Sequence, residues 1–214
     1  MLSDHVLFID GEALVVDKPA GLPVDTPRDG SLSVENHLGG LTFGFKRWPT
    51  PVHRLDRDTS GCLLLARNPK AHARFQQAFE AGAVEKVYRA VLAGELAEDS
   101  GIIDLPLAKV STAEAGWRMT GDASGKAART HWSVIARLDG RTLVEFRPET
   151  GRTHQIRVHA AEALRAPIAG DPVYGDGNGP MLLHAWKLSV PRAGKPPIAA
   201  EAPIPKRFAE AGFG

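Results

Sequence analysis

His53-Arg54-Leu55-Asp56-Arg57-Asp58-Thr59-Ser60-Gly61 sets one carboxylate, Asp56, between two arginines, just ahead of a Thr-Ser-Gly turn. The apolar run Cys62-Leu63-Leu64-Leu65-Ala66 follows at once. This is the layout of a charged loop delivered by a buried strand. A carboxylate held beside fixed guanidiniums keeps its charge when water is excluded. An ionised, desolvated carboxylate can serve as a nucleophile or a base. The plainer reading is a surface Asp-Arg pair, which contributes little. Charge pattern alone does not choose between them.

Other chemistries find less support. His154 and His159 are five residues apart, which misses the i, i+4 face of a helical zinc pair. The chain has a single cysteine, Cys62, and it sits in the apolar run, where a small buried hydrophobe is expected. The two histidines are therefore read as structural hydrogen-bonding groups, and no metal is expected. One cysteine forms no internal disulfide framework and fits a reducing cytoplasm. A glycosidase needs a second placed carboxylate. Asp58 is the near candidate, but it stands two residues from Asp56 in a tight loop and is expected to cap the turn.

The elements that must hold this loop can be read from turn chemistry. Val6-Leu7-Phe8-Ile9 and Ala13-Leu14-Val15-Val16 form a hairpin about Asp10-Gly11. Residues 24–51 read as mostly loop, with one short helix from Ser33 to Leu38. Asn68 caps a helix that has Pro69 at its first position and Gly82 at its end, with Ala71, Phe75, Ala78 and Phe79 on one face. Lys86 to Ala93 reads as a strand, and residues 97–130 as an irregular excursion with β character. Strands from His131 to Arg137 and Arg141 to Arg147 are joined by Asp139-Gly140. A helix is expected to start at Gly151-Arg152-Thr153-His154, capped by Thr153, with Ile156, Ala160, Ala163 and Leu164 as its apolar stripe. Met181 to Leu188 is a late strand before a Pro-rich tail. The fold class is α+β, a mixed, mainly antiparallel sheet with flanking helices and loops.

The 214 residues, 43% hydrophobic with a mean hydropathy of -0.17, describe an ordinary globular chain with no apolar run of membrane-spanning length. The N-terminus lacks the basic segment and apolar core of a signal peptide. The net charge is +1, so any binding of nucleic acid must rest on local patches. Arginines do gather about the interesting segments: Arg54, Arg57, Arg67, Arg152 and Arg157.

The nine-residue string around Asp56 resembles the signature of the RluA family of pseudouridine synthases, whose catalytic residue is the Asp of His-Arg-Leu-Asp. The resemblance runs from about Ile9 to Pro205. Asp17-Lys18-Pro19-Ala20-Gly21-Leu22 is similar to the family's Asn-Lys-Pro-x-Gly element, with Asp in place of Asn; its expected job is to buttress the catalytic loop. Lys86-Val87-Tyr88-Arg89-Ala90 resembles the family's Lys-x-Tyr-x-Ala strand, Lys126 to Thr130 its Lys-x-Ala-x-Thr segment, and Leu182-Leu183-His184-Ala185 a short element whose leucine lies against the base. Gly151-Arg152-Thr153-His154-Gln155-Ile156-Arg157-Val158-His159 is the second strong signature.

The resemblance implies a pseudouridine-synthase fold in a single catalytic domain over residues 1–214, of the short type, with no N-terminal accessory RNA-binding domain. It implies Asp56 as the essential carboxylate, Arg157 as its paired cation and Tyr88 as the face that stacks on uracil. Arg54, which fills the gap left by a flipped nucleotide, His53, Leu183 and Arg152 complete the substrate contacts. Three routes stay open to Asp56: attack on the sugar, attack on the pyrimidine ring, or removal of the C2′ proton. The implied substrate is uridine in stem-loops of tRNA or ribosomal RNA. No cofactor, membrane or obligate protein partner is implied, and a cytoplasmic monomer would suffice. Two other classes remain: a non-catalytic RNA-binding protein on the same scaffold, against which the intact Asp56, Tyr88 and Arg157 set argues, and a carboxylate-dependent hydrolase of nucleosides or glycosides.

Overall fold

The computed structural model describes residues 1–112 and 116–214. In chain order the strands and helices are β1 (Val6–Ile9), β2 (Ala13–Lys18), β3 (Thr50–Pro51), β4 (Ser60–Ala66), α1 (Pro69–Glu80), β5 (Glu85–Leu92), β6 (Ser100–Asp104), β7 (Leu107–Thr112), β8 (Gly116–Gly121), β9 (Arg129–Leu138), β10 (Arg141–Pro148), α2 (Gln155–Val158), β11 (Leu183–Val190), β12 (Ile198–Glu201) and α3 (Lys206–Glu210). The chain forms two compact units, Met1–Lys86 with Ala185–Pro203, and Val87–His184 with Ile204–Gly214. The pairs β1–β2, β2–β4, β3–β4, β5–β10, β6–β9, β7–β8, β9–β10 and β11–β12 are antiparallel. Among the described residues no helix is long and apolar enough to cross a membrane.

The first unit is organised around β4. All seven of its residues are buried. It pairs with β2 from Ala13 opposite Ala66 to Lys18 opposite Gly61. Cys62, Leu64 and Ala66 share a core with Ala71 and Phe75 of α1 and with Leu188, Val190 and Ile198. Leu63 and Leu65, on the opposite face of the strand, are equally buried. Helix α1 begins as its punctuation dictates: the Asn68 side chain accepts from Ala71 N–H at 2.9 Å, Pro69 follows, and Gly82 takes a φ of +67° just beyond the end. Upstream, the short helix is a 3₁₀ segment, Glu35–Leu41, shifted from the expected Ser33 to Leu38.

In the second unit β5, β10, β9 and β6 lie in that order, and β7 and β8 form a separate hairpin. Among the described residues, the 97–130 excursion holds β6, β7, β8 and the first residues of β9. Its core gathers Ala90, Leu92, Trp132, Val144, Phe146, Ile156 and Leu183.

The helix after Gly151 differs from expectation. It covers only Gln155–Val158, its N-cap is His154 at φ +54°, and no side chain caps it there. The physical reason is Gln155. This buried side chain accepts from Arg152 N–H at 2.9 Å and from the Thr150 hydroxyl at 2.7 Å, while its amide donates to Arg129 O and Thr130 Oγ1. It ties the turn to β9, so Thr153 has no capping role. The helix then widens into a π turn, His159–Ala163, with Leu164 N–H bonded to His159 O. The extra residue per turn shifts the phase of the stripe. Ile156 and Ala160 stay buried and Ala163 is exposed. The late strand also starts two residues after the expected Met181.

Candidate active site

Asp56 sits on a loop that is fastened from below. Lys18 is fully buried, and its ammonium donates to Pro19 O at 2.9 Å, Leu22 O at 2.7 Å and Arg57 O at 3.0 Å. Gly21 N–H donates to the same Arg57 carbonyl at 2.9 Å. A turn closes through Thr59 N–H on Asp56 O at 3.1 Å. One ammonium therefore staples the Lys18-to-Leu22 turn to the residue that follows Asp56. Its position is set by strand register, since Lys18 lies directly across from Gly61.

Gly61 is obligatory. Its φ is +111°, and a Cβ there would lie 2.2 Å from Ala185 O. The close approach lets the chain leave the loop straight into β4.

His53 was expected among the substrate contacts. Its ring is instead occupied internally: Nε2 accepts from Leu64 N–H at 3.0 Å, and the ring stacks on Phe79 with centroids 4.8 Å apart. Burial, with the Lys86 charge adding to it, brings its pKa down to about 4. It is a neutral anchor tying the loop to β4 and α1. Burial likewise lowers the Lys86 ammonium to about 8.

Arg54 projects into solvent, its side chain 77% exposed and 2.7 Å from Asp25. Arg57 is similarly open, with Nε 3.9 Å from Asp58. Arg67, grouped with them by sequence, has a different job. It is buried, donates to Asp10 O, Thr42 O and Phe43 O, and lies 3.7 Å over the Phe45 ring, so it holds backbone in place. Cys62 is a buried thiol pushed up to about 12 by desolvation, and is inert at neutral pH.

In the second unit Tyr88 pairs across β5 and β10 with Phe146. It is half-buried against the same core as Ile156 and Leu183, which brings two expected base contacts beside the helix that carries Arg157. Arg152 is exposed and donates from Nε to Ala127 O.

Arg157 is 5% exposed and forms a bidentate pair with fully buried Asp171, Nε to Oδ2 and Nη2 to Oδ1, both at 2.8 Å. Asp171 also accepts from Val173 N–H at 2.8 Å and Tyr174 N–H at 3.1 Å. Burial alone would raise its pKa, but the Arg157 hydrogen bond and charge and the two backbone donors outweigh that and hold it below the usual carboxylate value. The guanidinium plane is thereby fixed. Asp171 was missed in the sequence reading; its signal was the turn-rich run Gly170-Asp171-Pro172-Val173-Tyr174-Gly175.

The two histidines of the second signature are structural, as expected. His159 is fully buried between Thr130 Oγ1 at 2.9 Å and Leu105 O at 3.0 Å, with its pKa lowered by burial. His154 contacts Tyr174 Oη through Nδ1 at 2.9 Å. Thr130, from the Lys-x-Ala-x-Thr segment, is the shared partner of His159 and Gln155.

The first unit thus holds a fastened carboxylate loop and the second a clamped arginine. The comparisons supply the family. The family model described as RNA pseudouridylate synthase matches residues 12–162. An uncharacterized RNA pseudouridine synthase of Zymomonas mobilis is 60% identical, over 100% of this chain and 99% of its own length. The ribosomal large subunit pseudouridine synthase D of the same organism is 38% identical over 80% of this chain and 56% of its own length. Among solved structures, human RNA pseudouridylate synthase domain containing 4 superposes with a TM-score of 0.83 at 25% identity, spanning 98% of this chain and 92% of that one. The chain belongs to the RNA pseudouridine synthases, of the RluA type, and is an isomerase.

Proposed function

We propose that this enzyme converts specific uridines in stem-loops of ribosomal RNA or tRNA to pseudouridine, with Asp56 as the essential carboxylate. The observation that carries the proposal is the three-carbonyl staple made by buried Lys18. It spends a buried ammonium on holding rigid the one loop that presents Asp56. Fixing a reacting group in place supplies much of the advantage an enzyme has over solution.

The reaction is balanced within one nucleotide. The N1–C1′ bond breaks, the uracil turns, and C5 bonds to C1′. C5 loses its proton and N1 gains one. No electrons or groups are exchanged with a donor. Asp56 carries the covalent or proton-transfer step. Arg157, its plane set by Asp171, is the counter-charge assigned to that carboxylate by resemblance. Tyr88 and Leu183 flank the uracil and replace the stacking it loses on leaving the helix, and Arg54 fills the gap left behind. Arg152 contacts the RNA backbone. His53 anchors the loop from beneath. Unpaired loops are favoured because extraction of the base costs least there. The ribosomal name of one relative makes large-subunit rRNA the first substrate to try, and the cytoplasm the place of action.

The test is tritium release from uracil C5 in unmodified rRNA and tRNA transcripts. Wild type is expected to release tritium and Asp56→Ala to release none while melting as wild type does. Equal release by both proteins would remove Asp56 from the chemistry.

A further inference from the structure

The β7–β8 hairpin presents Trp117 half-exposed, at 50%. A large aromatic left open on a two-stranded arm is unusual enough to ask what it meets. One face of its indole stacks on His154, with centroids 5.4 Å apart and planes at 25°. Lys109, on the same face of the hairpin because Ser111 pairs with Trp117, places its ammonium 5.0 Å from the ring.

The arm is rigid where it matters. Met119 N–H donates to Tyr174 Oη at 3.0 Å, and Gly121 N–H and the Thr120 hydroxyl both donate to Glu162. Leu107 and Lys126 exchange backbone hydrogen bonds at its base, and Leu107 and Met119 pack with Ala128 and Val158. The stack also continues inward. Tyr174 meets His154 edge-on at 5.6 Å and lies 5.2 Å under the guanidinium of Arg157. His154, in the left-handed conformation, is the residue from which the Arg157 helix starts.

We propose that the Trp117–His154 stack is a platform for an unpaired base of the substrate RNA, flanking the isomerised uridine, with Lys109 placed for the adjoining phosphate. This rests on the RNA reading of the preceding section. The ligand class follows from the chemistry. An exposed indole with a cation at its margin suits a π-faced, anionic unit, and a nucleotide supplies both properties. Any base stacks on such a face, so the platform adds affinity rather than sequence choice. Its link through Tyr174 to the Arg157–Asp171 clamp makes a nucleotide near the reacting uridine the natural occupant.

The test uses unmodified large-subunit rRNA and tRNA transcripts labelled with tritium at uracil C5, with wild type, Trp117→Ala and Trp117→Phe. Trp117→Ala is expected to raise KM by about 10- to 100-fold, with kcat at saturating RNA within about twofold. Trp117→Phe, which keeps a ring, recovers most of the loss. RNA is also expected to quench the part of the emission that wild type shows and Trp117→Phe lacks. An unchanged KM in Trp117→Ala, or equal loss of kcat in both variants, would make Trp117 a structural residue and overturn the platform. Release of no tritium by wild type from any transcript would defeat the RNA reading and this inference with it, and that failure shows in wild type alone.

Discussion

At the residue scale the molecule invests buried charge in holding two side chains still. Asp171 and Arg157 have nearly all their surface removed from water, and only their mutual bidentate pair makes that tolerable. Asp171→Ala removes two charge-assisted hydrogen bonds from a buried guanidinium, and we expect it to lower unfolding stability by about 3 kcal/mol in urea titrations. Asp171→Asn keeps the shape and one acceptor and is expected to lose less. Equal midpoints for wild type and Asp171→Ala would show that the pair has no structural weight. His53 gives a pH signature. Its ordinary value is 6.5 and its folded value about 4, so the unfolded chain takes up a proton between these values that the native state refuses. Its contribution is full above pH 6.5 and declines as the pH falls toward 4. Wild type should therefore lose melting temperature over that interval more steeply than His53→Gln, which has no such proton to bind. Parallel profiles would mean that the ring is not held neutral.

At the element scale, β4 is a rod buried on every face, and the loop bearing Asp56 is as well placed as the point where it enters that rod. That point is Gly61. Gly61→Ala combines a clash with Ala185 O and a positive φ, two effects that cannot both relax without moving strands. Loss of about 4 kcal/mol, or failure to fold, is the expected result, and a normal urea midpoint would show that the backbone there can shift. The same scale explains what could be read in advance. The Asp10-Gly11 and Asp139-Gly140 hairpins and the Asn68-Pro69 helix start are decided by adjacent residues, so turn chemistry suffices to place them. Helix α2 is decided by Gln155 reaching the backbone of Arg129 and the hydroxyl of Thr130, contacts that no local window contains. The π turn after it defeats a stripe laid out at 3.6 residues per turn. The Asp56 segment as a charged loop entering a buried strand was legible because its residues adjoin in sequence, whereas the way Lys18 buttresses it depends on a strand register that no local window contains. Asp171 was not legible, since its partner is remote and its own neighbourhood reads as an ordinary turn. His53 looked like a contact for a ligand, and Arg67 like one of a cluster of arginines, because sequence shows charge and ring type and does not show which backbone groups have claimed them.

At the scale of the whole molecule, a net charge of +1 must be reconciled with a polyanionic substrate. So weak a total produces little long-range steering, and affinity then comes from a few contacts beside the reacting nucleotide. On the proposed reading the phosphate contacts fall to Arg57 on the Asp56 loop, Arg152 on the second signature and Lys109 on the hairpin, while Arg54 takes the vacated base position. Each phosphate neutralised contributes about -0.7 to -0.9 to the slope of log affinity against log salt. About three contacts give a slope near -2.5, so raising salt from about 50 to about 200 mM should weaken RNA binding by roughly 30-fold. Arg54→Ala should leave the slope nearly unchanged, and a flattening by about one unit would place its guanidinium on a phosphate instead. Anisotropy titrations of a labelled transcript at several salt concentrations measure both quantities. A wild-type slope steeper than about -6 would require about seven or more phosphate contacts, more than twice the number named.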